Sequence, residues 1–485
     1  MKYDSVKNFI NGSFTDASSD KVIAVTSPID GTALANMPCS TSSDLDKAVE
    51  SADSAFKKWS KTPIKERAQV FFKYKHLLET NLHELAALGS EESGKTIGES
   101  IAEIEKCIEL TEFACSMPQL VTGELLEVSK GIECKTEHVP LGIVASIVPF
   151  NFPTMVPNWS MPNALVLGNC MIIKPSEKVP LSLGRIAVLL KEAGLPDGVF
   201  NIVNGDSEIV NAICDHPKIQ AVSFVGSTKI AQLVYRRATQ NLKRCLALGG
   251  AKNHLIVLPD AKTDMTAANV VASMSGCAGQ RCMAASVMVS VGETDHIIDK
   301  ICTEANKMIA GQNLGAVINL ASKQRIEEYI NQAEKQGARI LVDGRNTVVD
   351  GKENGTYVGP TVIDYVTPEM SVATEEIFGP VISIIRTKTI DEALTIENAN
   401  PYGNAASVFT QNGSAARHVI EHASAGMIGV NIGVPVPREP FSFGGWNESK
   451  FGVGDITGKS SIQFWTKLKK STTKWNPEAG VNWMS

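Results

Sequence analysis

Apolar residues recur at intervals of three and four through residues 44–118, for example at Leu45, Ala48, Val49 and Ala52. This spacing places apolar side chains on one face of an α-helix. The region therefore predicts a succession of helices. Because it holds few residues suited to catalysis, we expect these helices to act mainly as scaffold.

The pattern changes between residues 141 and 257, where short apolar runs are separated by stretches with helical periodicity. Strands that alternate with helices predict a parallel, doubly wound sheet, and such a sheet binds ligands at the carboxyl ends of its strands. The predicted strands are residues 142–150, 169–177, 199–205 and 219–226, and the predicted helices are residues 182–194 and 207–216.

A second α/β segment follows from about residue 260 to residue 463, with predicted strands at residues 338–344, 381–387 and 405–410. Two further stretches, residues 123–140 and 460–475, alternate between apolar and polar positions like exposed hairpins. Free strand edges tend to pair with another chain, so these stretches favour assembly of subunits.

Composition and charge narrow the class of protein. The chain has 485 residues, 43% of them hydrophobic, and a formal net charge of −6. These values are typical of a folded protein with more than one domain, and they provide no basic surface for nucleic acid. No apolar run approaches the length that spans a bilayer. We expect neither a nucleic-acid nor a membrane partner.

The ten cysteines are dispersed and form no metal-binding spacing, which favours a reducing compartment and predicts no metal site. The sequence MKYDSVKNF at the N-terminus lacks the features of a signal or transit peptide. We therefore expect a cytoplasmic location, or the mitochondrial matrix if a transit peptide has been removed.

Two strand ends carry residues suited to a nucleotide. Gly226 and Ser227 separate a predicted strand from a helical stretch, where a glycine and free helix N–H groups could approach a pyrophosphate. Lys174 and Glu177 follow another strand and could bracket a ribose; the acidic residue favours NAD over NADP. The first signal is weak by itself, because many turns between a strand and a helix contain Gly-Ser. A surface turn in which Ser176 caps a helix explains the spacing of Lys174 and Glu177 equally well.

Cys282 lies among small residues and directly follows Arg281, whose charge could stabilise a thiolate. Taken alone, a single cysteine is more often an inert apolar residue than a nucleophile. The sequence around Cys282 therefore leaves both interpretations open.

Eight segments in the same order resemble the aldehyde dehydrogenase superfamily. That resemblance implies an α/β fold with a Rossmann-type doubly wound parallel sheet domain, a second α/β catalytic domain and a small β oligomerisation extension, assembled as a homodimer or homotetramer. The segments are PFNFP (149–153), GNCMIIKPSE (168–177), FVGST (224–228), LGGAKNH (248–254), GQRCMA (279–284), EEIFGPV (375–381), NPYGN (400–404) and FGGWNESKFG (443–452).

The resemblance also implies domain boundaries and site residues. It implies an NAD-binding domain at 1–122 and 141–250, a catalytic domain at 251–463, and oligomerisation strands at 123–140 and 464–485. Cys282 is then the nucleophile, and Asn151 with the Cys282 backbone N–H forms the oxyanion hole. The implied NAD contacts are Lys174 and Glu177 on the adenosine ribose, Gly226 and Ser227 at the pyrophosphate, Glu376 on the nicotinamide ribose, Phe378 against its ring, and Phe150 and Phe152 beside Asn151.

One position departs from the superfamily. Its hydrolytic members keep a glutamate just before the Leu-Gly-Gly segment to activate water, and here Ala247 occupies that place. A missing general base typically slows attack by water about a hundredfold or more, whereas a thiol needs less activation. The departure favours transfer of the acyl group to a thiol, for which coenzyme A is the obvious candidate.

GAKNH, GQRCMA, PFNFPTMVP and GVPVP resemble the CoA-acylating methylmalonate-semialdehyde dehydrogenases. This implies oxidation of methylmalonate or malonate semialdehyde, loss of CO2 and release of propionyl-CoA or acetyl-CoA in a ping-pong order. Arg281 would hold the substrate carboxylate, with Lys106 where the subfamily has a second arginine. A hydrolytic aldehyde dehydrogenase that releases a free acid, and a catalytically silent binding protein on the same fold, remain alternatives.

Overall fold

The computed structural model describes residues 1–475. Its helices are α1 (Ser42–Trp59), α2 (Ile64–Thr80), α3 (Leu82–Ser93), α4 (Ile97–Cys115), α5 (Met117–Leu120), α6 (Met155–Val166), α7 (Leu181–Glu192), α8 (Ser207–Asp215), α9 (Thr228–Gln240), α10 (Thr263–Ser275), α11 (Asp295–Ala305), α12 (Leu320–Lys335), α13 (Ser371–Thr374), α14 (Ile390–Ala399), α15 (Gly413–His422) and α16 (Ser460–Trp465).

The strands of the first half of the chain are β1 (Asn8–Ile10), β2 (Ser13–Thr15), β3 (Val22–Thr26), β4 (Ala33–Pro38), β5 (Leu125–Ser129), β6 (Ile132–Pro140), β7 (Ile143–Ile147), β8 (Cys170–Lys174), β9 (Phe200–Ile202), β10 (Ile219–Val225) and β11 (Arg244–Leu248). Those of the second half are β12 (Asn253–Val257), β13 (Ala285–Val291), β14 (Arg339–Val342), β15 (Thr361–Asp364), β16 (Val381–Thr387), β17 (Tyr402–Gly403), β18 (Ala405–Phe409), β19 (Met427–Val430), β20 (Trp446–Asn447), β21 (Lys450–Phe451) and β22 (Thr466–Lys474).

The first large sheet has eight strands in the order β2-β1-β9-β8-β7-β10-β11-β21. Its five central strands are parallel, and the strands at both edges are antiparallel. The chain order reverses between β7 and β10, the kind of switch point at which doubly wound sheets bind ligands. All four strands predicted between residues 142 and 226 are present in this sheet.

The second large sheet has seven strands in the order β14-β15-β16-β13-β12-β18-β19, all parallel except the β14–β15 pair. Its central strands are buried on both faces, as the near-continuous apolar runs of parallel strands require. Two α/β sheets with helices confirm the predicted fold class.

A small sheet of β22, β6 and β5 projects from the body. Its edge strand β5 is exposed along its whole length, including Leu125, Leu126 and Val128. The prediction of alternating strand structure was wrong for residues 460–465, which form helix α16. The physical reason is burial: Phe464 and Trp465 pack into the core of the first sheet, and only the residues after Trp465 extend as β22. Residues 476–485 of the predicted oligomerisation segment lie outside the described residues.

The chain returns to the first sheet near its end. Strand β21 pairs with β11, and Phe443, Ile456 and Ile462 belong to the core that surrounds the first sheet. The division of the chain into domains stays a prediction, and this returning segment packs on the first sheet within the stretch predicted as catalytic. Within residues 1–475, no helix is both long and apolar enough to cross a membrane.

Candidate active site

Cys282 lies between a short 3-10 turn, Gly276–Gly279, and strand β13. Its backbone carbonyl accepts two hydrogen bonds, from Asn253 Nδ2 at 2.8 Å and from Asn404 Nδ2 at 2.9 Å. Both asparagines stand beside strands of the second sheet, Asn253 as the first residue of β12 and Asn404 just before β18. The second sheet therefore fixes the backbone that carries the thiol.

The surroundings of Cys282 favour the protonated form of its thiol. Burial raises the pKa of Cys282 to about 12, and the negative charge of Glu376 adds to the effect while the Arg281 guanidinium opposes it. A thiolate is the reactive form of cysteine. Any reaction of this thiol as a nucleophile therefore requires loss of its proton during attack or on ligand binding.

Asn151 follows strand β7 at the switch point of the first sheet and is buried. Its Nδ2 donates to the Gln280 carbonyl at 2.9 Å, which fixes the amide close to the segment of the nucleophile. An amide nitrogen carries two hydrogens, so one remains for a ligand oxygen. This arrangement suits an oxyanion donor.

Two cavities meet at Cys282. The sheet-side cavity, about 670 Å³, is bounded by the residues that follow β7, β8 and β10. The helix-side cavity, about 580 Å³, is bounded by α4 and by residues 432–443. Besides Cys282, the side chains of Phe152 and Trp159 line both cavities. The thiol can therefore receive one ligand from each side.

In the sheet-side cavity, the Lys174 Nζ donates to the Pro175 carbonyl at 2.6 Å and lies 3.5 Å from the Glu177 carboxylate. Burial lowers the pKa of Lys174. The Glu177 side chain is 35% exposed, so its carboxylate can accept hydrogen bonds from a ligand. These are the two positions predicted to bracket a ribose, and the structure brings them together.

Gly226 and Ser227 lie between β10 and α9, where Ser227 is the N-cap residue. A Cβ at Gly226 would come 2.6 Å from the Phe224 ring, so any larger residue would require that ring to move. The start of α9 offers free N–H groups and the positive end of the helix dipole. An anionic group such as a pyrophosphate fits this corner.

Glu376 and Phe378 lie across the sheet-side cavity from the strand ends. A Glu376 carboxylate oxygen accepts from the Ala251 N–H at 3.0 Å, and burial raises the pKa of Glu376. The Phe378 ring packs edge-on against Phe150, with ring centroids 5.9 Å apart. Every cofactor position predicted from the sequence thus lines one cavity.

Arg281 and Lys106 line the helix-side cavity, and both are already engaged. Arg281 Nη2 donates to the carbonyls of Ala272 at 2.7 Å and Ser273 at 2.9 Å. Lys106 Nζ lies 2.7 Å from the Glu439 carboxylate and 3.2 Å from that of Glu109. The structure brings both predicted substrate residues to the cavity and adds partners that the sequence did not indicate.

Three residues of the site were not singled out from the sequence. Asn253 and Asn404 hold the Cys282 carbonyl, and their presence in the LGGAKNH and NPYGN segments was the available signal. No signal in the sequence pointed to Glu439, because its partner Lys106 is 333 residues away in the chain.

Ala247, where the hydrolytic members have glutamate, is fully buried in β11 opposite Phe224. No carboxylate is available at that position. Glu376 is the acidic residue whose charge bears on Cys282.

The site combines a half-buried thiol, an amide donor and a cavity lined by the residues predicted to hold a nucleotide, as expected of an oxidoreductase. Comparison with known proteins agrees. The pattern of the aldehyde dehydrogenase family matches residues 14–471, and the chain belongs to that family.

The chain is 43% identical to malonate-semialdehyde dehydrogenase 2 of Geobacillus kaustophilus, over 97% of this chain and 99% of that protein. It is also 43% identical to the malonate-semialdehyde dehydrogenase of Halalkalibacterium halodurans, with the same coverage.

Among solved structures, methylmalonate-semialdehyde dehydrogenase from Oceanimonas doudoroffii is similar with a TM-score of 0.96 at 43% identity, covering 98% of this chain and 99% of that one. A protein from Sinorhizobium meliloti, described as a methylmalonate-semialdehyde dehydrogenase and solved with NAD, gives a TM-score of 0.97 at 41% identity, covering 99% of each chain.

Proposed function

We propose that the protein oxidises malonate or methylmalonate semialdehyde with NAD through a thioester on Cys282, and transfers the decarboxylated acyl group to coenzyme A. The observation that carries this proposal is the meeting of two cavities at one half-buried thiol. The relatives named for these semialdehydes support the substrate class.

The residues of the sheet-side cavity fit NAD. The turn at Gly226 and Ser227 begins α9, whose first N–H groups can donate to a pyrophosphate, and the partly exposed carboxylate of Glu177 can accept from both ribose hydroxyls while disfavouring a 2′-phosphate. Glu376 would hold the nicotinamide ribose. Phe378, Phe150 and Phe152 would limit the space for the nicotinamide ring. When bound, NAD supplies the hydride acceptor.

On the chain itself, Cys282 Sγ forms a bond to the aldehyde carbon. Asn151 Nδ2 and the Cys282 N–H would donate to the oxygen as it gains negative charge, and one such fixed donor is typically worth about 3 kcal/mol. Loss of hydride from the same carbon leaves the thioester.

Coenzyme A as acceptor is supported by the absence of a base at position 247. Ala247 is a buried strand residue, so water there has no carboxylate to remove its proton. A thiol ionises more readily and attacks a thioester with less assistance. The thiol would replace Sγ on the acyl carbon and regenerate Cys282.

In the helix-side cavity, Arg281 and Lys106 would hold the substrate carboxylate before CO2 is lost. Arg281 Nε is buried and has no hydrogen-bond partner within residues 1–475. Lys106 would have to exchange or share Glu439.

Product analysis tests this proposal. With NAD and malonate semialdehyde, we expect acetyl-CoA and CO2 when coenzyme A is present, and a single burst of NADH with little free acid when it is absent. Undiminished turnover to a free acid without coenzyme A would contradict the thiol-acceptor step. A complete lack of NADH with any aldehyde would favour a silent binding protein.

A hydrolytic reaction is the second candidate, because Glu376 lies in the same cavity as Cys282 and its pKa is raised towards the range of a general base. If Glu376 acts as the general base that removes a proton from water, Glu376→Gln should abolish any release of free acid while leaving acyl-CoA formation measurable. Equal losses of both products would assign Glu376 to NAD binding alone.

We further propose a homodimer or homotetramer in which β5 and β22 provide subunit contacts, supported by the exposed Leu125, Leu126 and Val128. A Leu126→Glu variant should sediment as a smaller species than the wild type. An unchanged assembly would exclude this strand as a contact. The bacterial source of the relatives supports a cytoplasmic location.

A further inference from the structure

A buried carboxylate anchors the end of the loop that carries Asn151. Glu103 lies on α4, and its side chain is only 1% exposed. Its Oε1 accepts three hydrogen bonds, from the Thr154 N–H at 2.9 Å, the Thr154 hydroxyl at 2.7 Å and the Met155 N–H at 2.9 Å. Hydrogen bonds to an ionised acceptor are roughly twice as strong as those between neutral groups. Glu103 therefore fixes the position of Thr154.

The donors to Glu103 stand where α6 begins, since Thr154 is the N-cap residue of α6 and Met155 is its first residue. The first N–H groups of a helix have no partner within the helix, and the helix dipole favours a negative charge beside them. A carboxylate from α4 thus caps α6. Because Asn151 lies only three residues before Thr154, a shift at the start of α6 would be passed on to the Asn151 amide.

Lys95 balances the charge of Glu103 and contacts the same loop. Its ammonium pairs with the other oxygen of Glu103, and both side chains are almost fully buried. The Lys95 Nζ also lies 4.5 Å from the centroid of the Phe152 ring. A buried ion pair is weak evidence for stability, because apolar residues of similar volume often stabilise a fold as well. The contacts with Phe152 and Thr154 therefore indicate a role in placing this loop.

The same helix also holds the segment that leads to the nucleophile. One turn before Glu103, the Glu99 Oε1 accepts from the Cys277 N–H at 2.6 Å. Cys277 has a φ of 52°, a left-handed conformation that is unfavourable for a residue other than glycine, so this turn requires support. The Asn151 amide then joins the two segments through the Gln280 carbonyl. One face of α4 thus holds the amide donor and the thiol in relation to each other.

We propose that Glu103 is a positioning residue of the oxidation step, which holds the Asn151 amide where the substrate oxygen gains negative charge. The inference rests on the proposed function in that Cys282 attacks an aldehyde with Asn151 as the donor. Glu103 lines the helix-side cavity, but its oxygens are engaged by Lys95 and by the start of α6. Glu103 therefore acts through Asn151, and a misplacement of about 1 Å can slow a reaction about 100-fold.

The test measures the rate of the NADH burst with malonate semialdehyde in the absence of coenzyme A, together with the KM for the aldehyde and the affinity for NAD. Glu103→Gln keeps the size of the side chain but removes the charge that holds three donors. We expect a burst about tenfold slower, with the KM and the NAD affinity changed less than about twofold.

The matched control is Glu92→Gln. Glu92 is a fully buried carboxylate that accepts from the N–H groups of Leu181 and Ser182 at 2.8 and 2.9 Å, and so caps α7 without lining either cavity. The melting temperature should fall in both Glu92→Gln and Glu103→Gln, whereas the burst of Glu92→Gln should stay within about twofold of the wild type. An equal loss of burst rate in the two variants would overturn the proposal, because it would reflect stability alone.

A double-mutant cycle shows whether the effect passes through Asn151. In an Asn151→Ala background, Glu103→Gln should slow the burst by less than a further factor of about two, and a full tenfold loss there would overturn the proposal. Thr154→Val removes one donor to Glu103 and keeps both charges of the ion pair. It should slow the burst about threefold, and it provides the test if Glu103→Gln does not fold. An unchanged burst in either variant would also contradict the proposal.

A crystal structure of Glu103→Gln, or of Thr154→Val, tests the position of the amide directly. We expect the Asn151 Nδ2 to move away from its 2.9 Å contact with the Gln280 carbonyl, and an unchanged contact would overturn the proposal. This measurement depends neither on the substrate nor on the acyl acceptor. A wild type that forms no NADH would therefore count against the proposed function, while the crystal structure would still judge Glu103.

Discussion

The two cavities that meet at Cys282 are built differently. The sheet-side cavity is formed where parallel strands end, so its shape follows from backbone positions such as Gly226 and from the start of α9. The helix-side cavity is formed by side chains of α4 and a loop, and the ion pair of Lys106 with Glu439 joins these two elements. The comparison teaches that backbone positions of the fold shape the first cavity, whereas side chains far apart in the sequence shape the second.

The largest effect is expected from replacing Cys282, the residue at which the two cavities meet. Cys282→Ala should lower NADH formation by at least about 10⁴-fold, because no thioester can form. NAD binding, followed by fluorescence quenching, should persist, since the sheet-side cavity is otherwise intact. The matched control is Cys277→Ala, which removes a thiol that lines only the helix-side cavity and should keep dehydrogenase turnover. Surviving turnover in Cys282→Ala would refute the assignment.

Asn151→Ala should lower the rate of the NADH burst by about 100-fold or more, because the developing oxyanion loses a fixed donor. Burst kinetics separate this step from acyl transfer. A variant with a normal burst and slow acyl-CoA release would place Asn151 in deacylation and not in the oxyanion hole for hydride transfer.

The burial of Cys282 at the meeting point of the two cavities predicts that its reactivity towards an alkylating reagent depends on pH. Since burial raises the pKa of Cys282 to about 12, its thiolate fraction should rise about tenfold per pH unit, or about 100-fold between about pH 7 and about pH 9. Alkylation of Cys282 in the ligand-free enzyme, measured by peptide mass spectrometry, should follow this rise. A rise that levels off above about pH 8.5 would indicate a thiol with the pKa of a free cysteine.

Glu177→Gln should affect only the binding of ligands in the sheet-side cavity. Loss of a charged acceptor for the ribose hydroxyls should raise the KM for NAD about tenfold. It should also reduce the preference of the enzyme for NAD over NADP. The ratio of kcat/KM values for two aldehydes should stay constant at saturating NAD. A change in that ratio would show that the cavities are not independent.

More of the sheet-side cavity than of the helix-side cavity could be predicted from the sequence. The strands that end at Lys174 and Val225 were recognisable because continuous apolar runs are bounded by turn residues, and the residues predicted as cofactor contacts from the motifs at their ends line one cavity. The contact between Lys106 and Glu439 joins residues far apart in the chain, and no periodicity or motif reports such a pair. Residues 460–465 were misread because a six-residue helix is too short to show its period, and Trp465 is buried by tertiary packing.

The return of residues 443–465 to the first sheet has a consequence for motion. Two stretches of polypeptide run between the sheets: one where β11 gives way to β12, and one that leads from β19 towards β21. Two connections restrain the rotation of one sheet against the other more than a single connection would. Because the two cavities approach Cys282 from different sides, a ligand in one of them does not have to be displaced before a second ligand reaches the sulfur from the other.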